Sequence, residues 1–398
     1  MPLRIDSLTL NAQGRAEDGT LVPRVLPGEV IELAEGGARI LEPSPDRVAP
    51  PCRHYRSCGG CALQHASDPF VAGWKRQVVE RALKAQGLEA EVTGPATSPP
   101  NARRRAKFAG RRTKGGALVG FHMRGSDQIT AIPDCRLITP RLKAALPALE
   151  ALTRLAASRK SEVALTVTDS PEGPDVLVEG GPPLDQRLRM ELPALAEAHG
   201  LARIAWGGEI VAERAAPALP MGRGRVAPPP GAFLQATAEG EAALLAEAEA
   251  ATEGARRIVD LFAGCGTFTL PLAERAEVHA VEGEAAMLAA LDAGWRGAPG
   301  LHRVTTEARD LFRRPLLPEE LARFDAAVID PPRAGAEAQV AEIAASRLSR
   351  IAMISCNPVT FARDAARLVA AGFTLGPVTV VDQFRWSSHV ELATRLTR

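Results

Sequence analysis

Hydrophobic and polar positions change rhythm twice along this chain. Over residues 1–48 they alternate in short runs: Leu3, Ile5 and Leu8, then Val22 and Val25, then Val30, Ile31 and Leu33. Turn residues break the runs at Gly14, Asp18-Gly19, Pro27-Gly28 and Gly36-Gly37. Period-two alternation with tight turns predicts short strands, here a small β-barrel of the OB type. Pro43, Pro45, Pro50 and Pro51 form a linker. A helix is expected from about Val71 to Ala85, and residues up to 230 read as a mixed α+β region. That region has a helical stretch near 141–158 and strands near 163–167, 175–178 and 203–212. Prolines at 217, 220 and 228–230 mark a second boundary. From 231 on, apolar runs (Ile258–Phe262, Val278–Val281, Ala326–Ile329, Ile351–Ile354, Thr379–Val381) alternate with Ala-rich helical stretches. That is the pattern of a doubly wound, mostly parallel sheet. Three domains are therefore expected: 1–48, 49–230 and 231–398.

Composition narrows the function. The chain has 398 residues, 48 Lys+Arg against 47 Asp+Glu, and 46% hydrophobic residues. This is ordinary for a globular protein and excludes wholesale disorder. Balanced charge excludes a uniformly basic nucleic-acid binder but allows a local basic patch. One tyrosine and 4% aromatics argue against a broad base-stacking platform. The N-terminus lacks a signal-peptide pattern, and no apolar run is long enough to span a membrane. A cytoplasmic monomer is expected, with its six cysteines reduced and available for metal or catalysis.

Candidate chemistry gathers at predicted strand ends. Ile258–Leu261 leads into Gly264-Cys265-Gly266, a loop that lets backbone approach a ligand. The third glycine of a dinucleotide fingerprint is replaced by Thr269, which disfavours a dehydrogenase. Glu282 ends the second strand, placed for ribose hydroxyls, and Asp310 follows the third. This set suits an adenosine ligand without a pyrophosphate, such as S-adenosylmethionine. Asp330 closes the fourth strand in VIDPPRAG. Arg333 stands where amine methylases carry an aromatic ring, which leaves carbon methylation as a candidate. Cys356 leaves the fifth strand in MISCNPVT, where a thiolate could act covalently. His389 and Glu391 lie two apart on an expected terminal strand, with Val390 and Leu392 facing the core.

Two further features stand outside that domain. Cys52, Cys58 and Cys61, with Cys135 as fourth ligand, suit zinc or an iron–sulfur cluster. His54 and His65 are expected at the surface. Between Arg103 and Lys114 seven of twelve residues are basic (Arg103, Arg104, Arg105, Lys107, Arg111, Arg112, Lys114), which points to phosphate contact.

Taken together, Phe233-Leu234-Gln235, Asp260–Leu272, Asp330–Gly335, Ser355-Cys356-Asn357 with Thr360, and His389-Val390-Glu391 resemble the RNA 5-methyluridine (uracil-C5) methyltransferase family. The cysteine cluster, the Arg103-Arg104-Arg105 run, Gly120-Phe121 up to Cys135 and the N-terminal 48 residues resemble its 23S ribosomal RNA branch, with a TRAM domain. The resemblance implies a class I, Rossmann-like methyltransferase domain at 231–398. It implies a [4Fe–4S] cluster on Cys52, Cys58, Cys61 and Cys135, with zinc as the lesser alternative. It also implies Cys356 as nucleophile towards uracil C6 and Glu391 as general base. Cofactor contacts would come from Gln235, Phe262, Gly264, Gly266, Thr267, Glu282, Asp310 and Asp330. Departures from the family pattern are Met353 for a tyrosine, Thr267 for an asparagine, and Phe384-Arg385-Trp386-Ser387 for Phe-Pro-x-Thr. The alternatives are a transfer-RNA uracil-C5 methyltransferase, whose branch typically lacks the cysteines, and a non-catalytic RNA-binding assembly factor.

Overall fold

The computed structural model describes residues 2–34 and 37–398. Its first unit is an antiparallel five-stranded sheet: β1 (Leu3–Leu8), β2 (Gln13–Ala16), β3 (Leu21–Pro23), β4 (Val30–Ala34) and β5 (Gly37–Glu42). The order is β3-β2-β1-β4-β5, and β3 comes back beside β5, which is the closure of an OB barrel. The alternating positions turn inward as expected, with Ile5, Ala16, Val22, Val25 and Ile31 forming the interior. Gly14 is required there, because a Cβ would fall 2.2 Å from Val25 Cγ2. The expected turn at Gly36-Gly37 lies partly outside the described residues, at Gly36.

The linker leads through the cysteine segment into α1 (Asp68–Ala85). Ser67 caps this helix by accepting from the Phe70 amide, and Pro69 opens its first turn. Val71, Trp74, Val78, Val79 and Leu83 form its buried stripe. That stripe does not pack on the central region. Together with the next strand, β6 (Val92–Thr97), the helix joins the C-terminal sheet.

The central sheet comprises β7 (Arg105–Arg112), β8 (Ala117–His122), β9 (Ile129–Ala131), β10 (Glu162–Ser170), β11 (Gly173–Glu179), β12 (Arg203–Trp206) and β13 (Glu209–Glu213), in the order β13-β12-β11-β10-β7-β8-β9. The helices α2 (Pro140–Ala144), α3 (Leu146–Ala156) and α4 (Gln186–Ala198) bury Leu142, Leu149, Leu152, Leu188 and Leu192 in the same core as this sheet. Two expectations need correction. The helical stretch near 141–158 is two helices, because Pro147 suits a first turn and not an interior. The strand expected over 203–212 is a hairpin. Gly207 and Gly208 both take positive φ (58° and 97°), the geometry a two-residue turn requires. A two-stranded ribbon, β14 (Leu219–Met221) and β15 (Gly224–Val226), follows.

The C-terminal sheet is built from β16 (Arg257–Leu261), β17 (Glu277–Glu282), β18 (Val304–Ala308), β19 (Ala326–Ile329), β20 (Arg350–Ser355), β21 (Thr374–Asp382) and β22 (Glu391–Thr397). Its helices are α5 (Ala238–Ala251), α6 (Thr269–Leu272), α7 (Ala285–Arg296), α8 (Pro318–Leu321), α9 (Glu337–Ala345) and α10 (Pro358–Ala370). The order is β18-β17-β16-β19-β20-β22-β21-β6, parallel from β18 to β20. β22 runs antiparallel between β20 and β21. Burial on both faces explains the unbroken apolar runs, such as all four residues of β19. The expected doubly wound sheet is present. The chain reverses its direction of winding between β16 and β19, and the crevice above their carboxyl ends is where such sheets take ligands.

Candidate active site

A cleft of about 620 Å³ opens at this switch point. Its wall includes Phe233, Gln235, Phe262, Gly264, Thr267, Glu282, Asp310, Asp330, Cys356 and Glu391. The structure thus brings together residues that the sequence spreads over more than 150 positions. Gly266 does not reach the wall. It packs beneath, where a Cβ would stand 2.8 Å from Leu291 Cγ of α7.

Backbone geometry aims the cofactor half of the cleft. Phe262 follows β16 in the left-handed region (φ 63°), a cost of roughly 1–2 kcal/mol for a residue with a Cβ. Its ring stands 5.5 Å from that of Phe312, a cleft residue the sequence reading did not single out. Glu282 Oε2 accepts from the Gly264 amide and Oε1 from the Glu284 amide, both at 3.0 Å. The carboxylate is held rigidly at the strand end with lone pairs left for a ligand. Beneath the loop, Thr269 donates to the buried Asp260 (2.6 Å), which locks the start of α6. Two aromatic rings, a fixed acid and a glycine loop with Met287 alongside match the needs of an adenosine-bearing ligand. These residues fit S-adenosylmethionine.

The reacting half is assembled by two loops that grip each other. Cys356 sits between β20 and α10, and Asn357 caps α10 by accepting from the Val359 amide. The Asn357 side-chain amide (2.9 Å) and the Thr360 hydroxyl (3.2 Å) both donate to the Arg333 carbonyl. This tie joins the Cys356 turn to the loop after Asp330. Gly335 is needed in the same loop (φ 78°), since a Cβ would fall 2.7 Å from Asp364 Oδ2.

Glu391 is 4% exposed and faces the cleft, while Val390 and Leu392 are buried on the core side. The expected pairing of His389 and Glu391 on one strand face needs correction. β22 begins at Glu391, and His389 lies in the exposed loop before it, where Arg333 approaches its Nδ1 at 2.7 Å. A glutamine bridge crosses the site. Gln383 Nε2 donates to Gln235 Oε1 (2.6 Å), Gln235 Nε2 donates to Asp330 Oδ2 (3.1 Å), and the Ala236 amide donates to Gln383 Oε1 (2.6 Å).

Burial dominates the electrostatics. It pushes the Asp330 carboxyl up to about 7, against the Gln235 hydrogen bond. Burial, then the neighbouring Asp330, pushes Glu391 up to about 8, with Gln383, Arg333 and Lys75 opposing. Burial, then Glu391 and Asp330, raises the Cys356 thiol to about 11, with Arg333 opposing. Two carboxyl groups that exchange protons near neutrality thus flank a thiol that needs a base.

The four other candidate cysteines also converge. Cys52, Cys58, Cys61 and Cys135 line one small cavity with Tyr55, Phe121 and Ile132. The Gly60 amide donates to Cys58 Sγ and the Leu137 amide to Cys135 Sγ, both at 3.4 Å. Amides aimed at sulfur favour thiolate and suit ligation. Among the described residues, no set of three or more His, Cys, Asp or Glu is arranged to hold a metal ion. His54 pairs with Asp134 at 2.6 Å. His65, expected at the surface, is buried and bonded to the Tyr55 hydroxyl at 2.6 Å.

The basic run is not one patch. Strand pleating and neighbouring acids divide it. Arg104 pairs with Glu241, Arg105 donates to the Gly231 carbonyl, and Lys107 and Arg111 pair with Glu179 and Glu162. Arg103 instead lies with its guanidinium over the Phe384 ring, beside Arg124, Arg333 and His389 in a second cleft. No helix among the described residues is long and apolar enough to cross a membrane.

Known proteins resemble this chain. A family model described as tRNA (uracil-5-)-methyltransferase matches residues 298–398. An uncharacterized RNA methyltransferase of Caulobacter vibrioides is 46% identical over 99% of this chain and 100% of its own length. One from Brucella suis is 44% identical over 98% and 97%. The 23S rRNA (uracil(1939)-C(5))-methyltransferase RlmD of Chromohalobacter salexigens is 33% identical over 100% of this chain and 89% of its own. The crystal structure of Pyrococcus abyssi tRNA (uracil-54, C5)-methyltransferase with S-adenosyl-L-homocysteine shares the fold over 100% and 99% of the two chains (TM-score 0.76, 22% identity). A switch-point cleft built for a methyl donor, with full-length relatives of this kind, makes the chain a member of the S-adenosylmethionine-dependent RNA uracil-C5 methyltransferase family.

Proposed function

We propose that the protein methylates C5 of a uridine in 23S ribosomal RNA through a covalent intermediate. The observation that carries the mechanism is the meeting of Cys356, Glu391 and Asp330 in one cleft with the glycine loop. Uracil C5 is a weak nucleophile. Addition of the Cys356 thiolate to C6 places electron density on C5. S-adenosylmethionine, when bound, supplies an electrophilic methyl group to that carbon. Glu391 then takes the C5 proton, the C5–C6 double bond re-forms and the thiolate leaves. Cys356 must itself lose a proton before it attacks, and the adjacent carboxylates are the available acceptors. Arg333 lowers the cost of negative charge on both sulfur and carboxylate. The uridine has to leave its stack to enter, which is least costly from a loop.

Choice of RNA rests on the RlmD relative and on the cysteines. The family model's description and the Pyrococcus abyssi title favour a second reading, transfer RNA. Arg103 is the member of the basic run that lines the second cleft with Arg333 and His389. Four thiols lining one cavity, two of them accepting backbone amides, are a donor set of the type that suits a [4Fe–4S] cluster. Cys52, Cys58, Cys61 and Cys135 would hold it. Iron and sulfide analysis of anaerobically purified protein is expected to find about four of each per chain. The function is tested by incubating unmodified 23S rRNA and tRNA transcripts with enzyme and S-adenosylmethionine, then mapping 5-methyluridine by mass spectrometry. A product on 23S rRNA alone is expected. A product on tRNA alone would replace the ribosomal assignment, and none on either would end it. RNA carrying 5-fluorouridine at the mapped site is expected to trap a protein–RNA adduct at Cys356.

A further inference from the structure

The interior of this protein holds a lysine with no contact to solvent. Lys75, in the middle of α1, is fully buried at 0% exposure. Its ammonium donates to Asp382 Oδ1 (2.6 Å), the His389 carbonyl (2.9 Å) and the Phe384 carbonyl (3.4 Å). Three N–H donors meet three acceptors. Asp382 is the last residue of β21, and His389 lies two residues before Glu391. The ammonium therefore pins both ends of the β21–β22 loop. The tip of the same loop is held separately, by the Ala62 and Leu63 amides donating to the Trp386 carbonyl (2.7 and 3.0 Å).

Stability alone is a poor reason for such a pair, because well-packed apolar side chains usually do as well as a buried ion pair. The loop, however, carries Gln383 into the glutamine bridge at one end and delivers Glu391 at the other. We propose that Lys75 is a positioning residue for the proton-abstraction step: its ammonium closes the β21–β22 loop so that Glu391 and Gln383 face Cys356 and Asp330. This rests on the reading of Glu391 as base. The charged and titratable groups facing Glu391 are Asp330 after β19, Arg333 in the following turn, Cys356 after β20 and Lys75 on α1. His389 and Arg385 stand near Lys75 on the loop itself. Lys75 is a cation that favours the ionised base. Its loss therefore moves the rising limb of the pH–rate profile upward as well as loosening the loop.

The test uses full-length enzyme, S-adenosylmethionine and whichever unmodified transcript, 23S rRNA or tRNA, the wild type methylates. Replacing both partners (K75M/D382N) leaves no lone buried charge, and K75Q keeps one short donor. Either variant is expected to lower kcat by about 10- to 100-fold, the scale of a misplaced reacting group. KM for S-adenosylmethionine should be unchanged, and in K75Q, which removes the cation and keeps Asp382, the rising limb should lie at higher pH than in wild type. A folded variant with wild-type kcat and pH profile overturns the proposal. So does a loss of kcat in K75Q with an unmoved limb, and so does failure of both variants to fold, which would make the lysine a folding element. E391Q separates the two ideas. If E391Q turns over like wild type, the base assignment falls, whatever Lys75 does.

Discussion

Two thiol-bearing regions of this molecule show how surroundings divide one side chain between two chemistries. Cys356 sits at a strand end, half-buried, with the carboxyl groups of Glu391 and Asp330 on the ligand side. The four cysteines of the small cavity have apolar walls, amides aimed at two of the sulfurs, and Arg103 nearby. Burial raises the thiol pKa in both places; Cys61 reaches about 12 and Cys356 about 11. The difference lies in what can take the proton. Beside Cys356 stand groups that accept one near neutrality. Among the described residues, the lining of the cavity includes no carboxylate or histidine to take a proton from its thiols.

The sharpest break of this comparison is C356A. Methyl transfer to RNA is expected to fall about 10⁴-fold or more, while binding of S-adenosyl-L-homocysteine stays intact by calorimetry. Next comes E391Q. A loss of about 10²- to 10⁴-fold is expected, accompanied by a protein–RNA adduct that survives denaturing electrophoresis, because addition proceeds and elimination stalls. Absence of that adduct would move the base elsewhere. C58S should act on the other region. It is expected to lower the melting temperature and the iron content while leaving S-adenosyl-L-homocysteine affinity within about threefold, less than ~0.7 kcal/mol.

The smallest effect is in pH. Burial raises the Asp330 and Glu391 carboxyl groups to about 7 and about 8 in the folded state, against 3.8 and 4.5 for the free side chains. The folded state thus binds their protons more tightly. Their contribution to stability is complete below about pH 4 and is lost as pH rises through 7 to 8. The melting temperature of the unliganded protein should therefore decline between pH 5 and 8. A D330N/E391Q double variant should show a flatter curve over the same range.

Much of this was legible before the fold was known. The barrel strands announced themselves by alternation, and Asp330, Cys356 and Glu391 by standing at the ends or edges of apolar runs, where side chains must face a crevice. What escaped was partnership. Lys75 and Asp382 are 307 residues apart, and nothing local to either marks the other. His65 reads as a surface polar residue until Tyr55 is seen to satisfy it. The basic run reads as one patch because spacing along a chain does not show which acids the adjacent strands bring alongside. Periodicity reports which way a side chain points; it is silent on what awaits it there.

The edge strand β6 carries a consequence for how this protein is made. Val92 pairs with Val378, so the strand leaves the ribosome long before its neighbour exists. Contacts so distant along the chain form late, and an unpaired strand is a site for wrong associations. Until the last few dozen residues are synthesised, the nascent chain must keep this segment from adhering to others. Expression of the C-terminal part alone would strip β21 of its cover and invite self-association at that border.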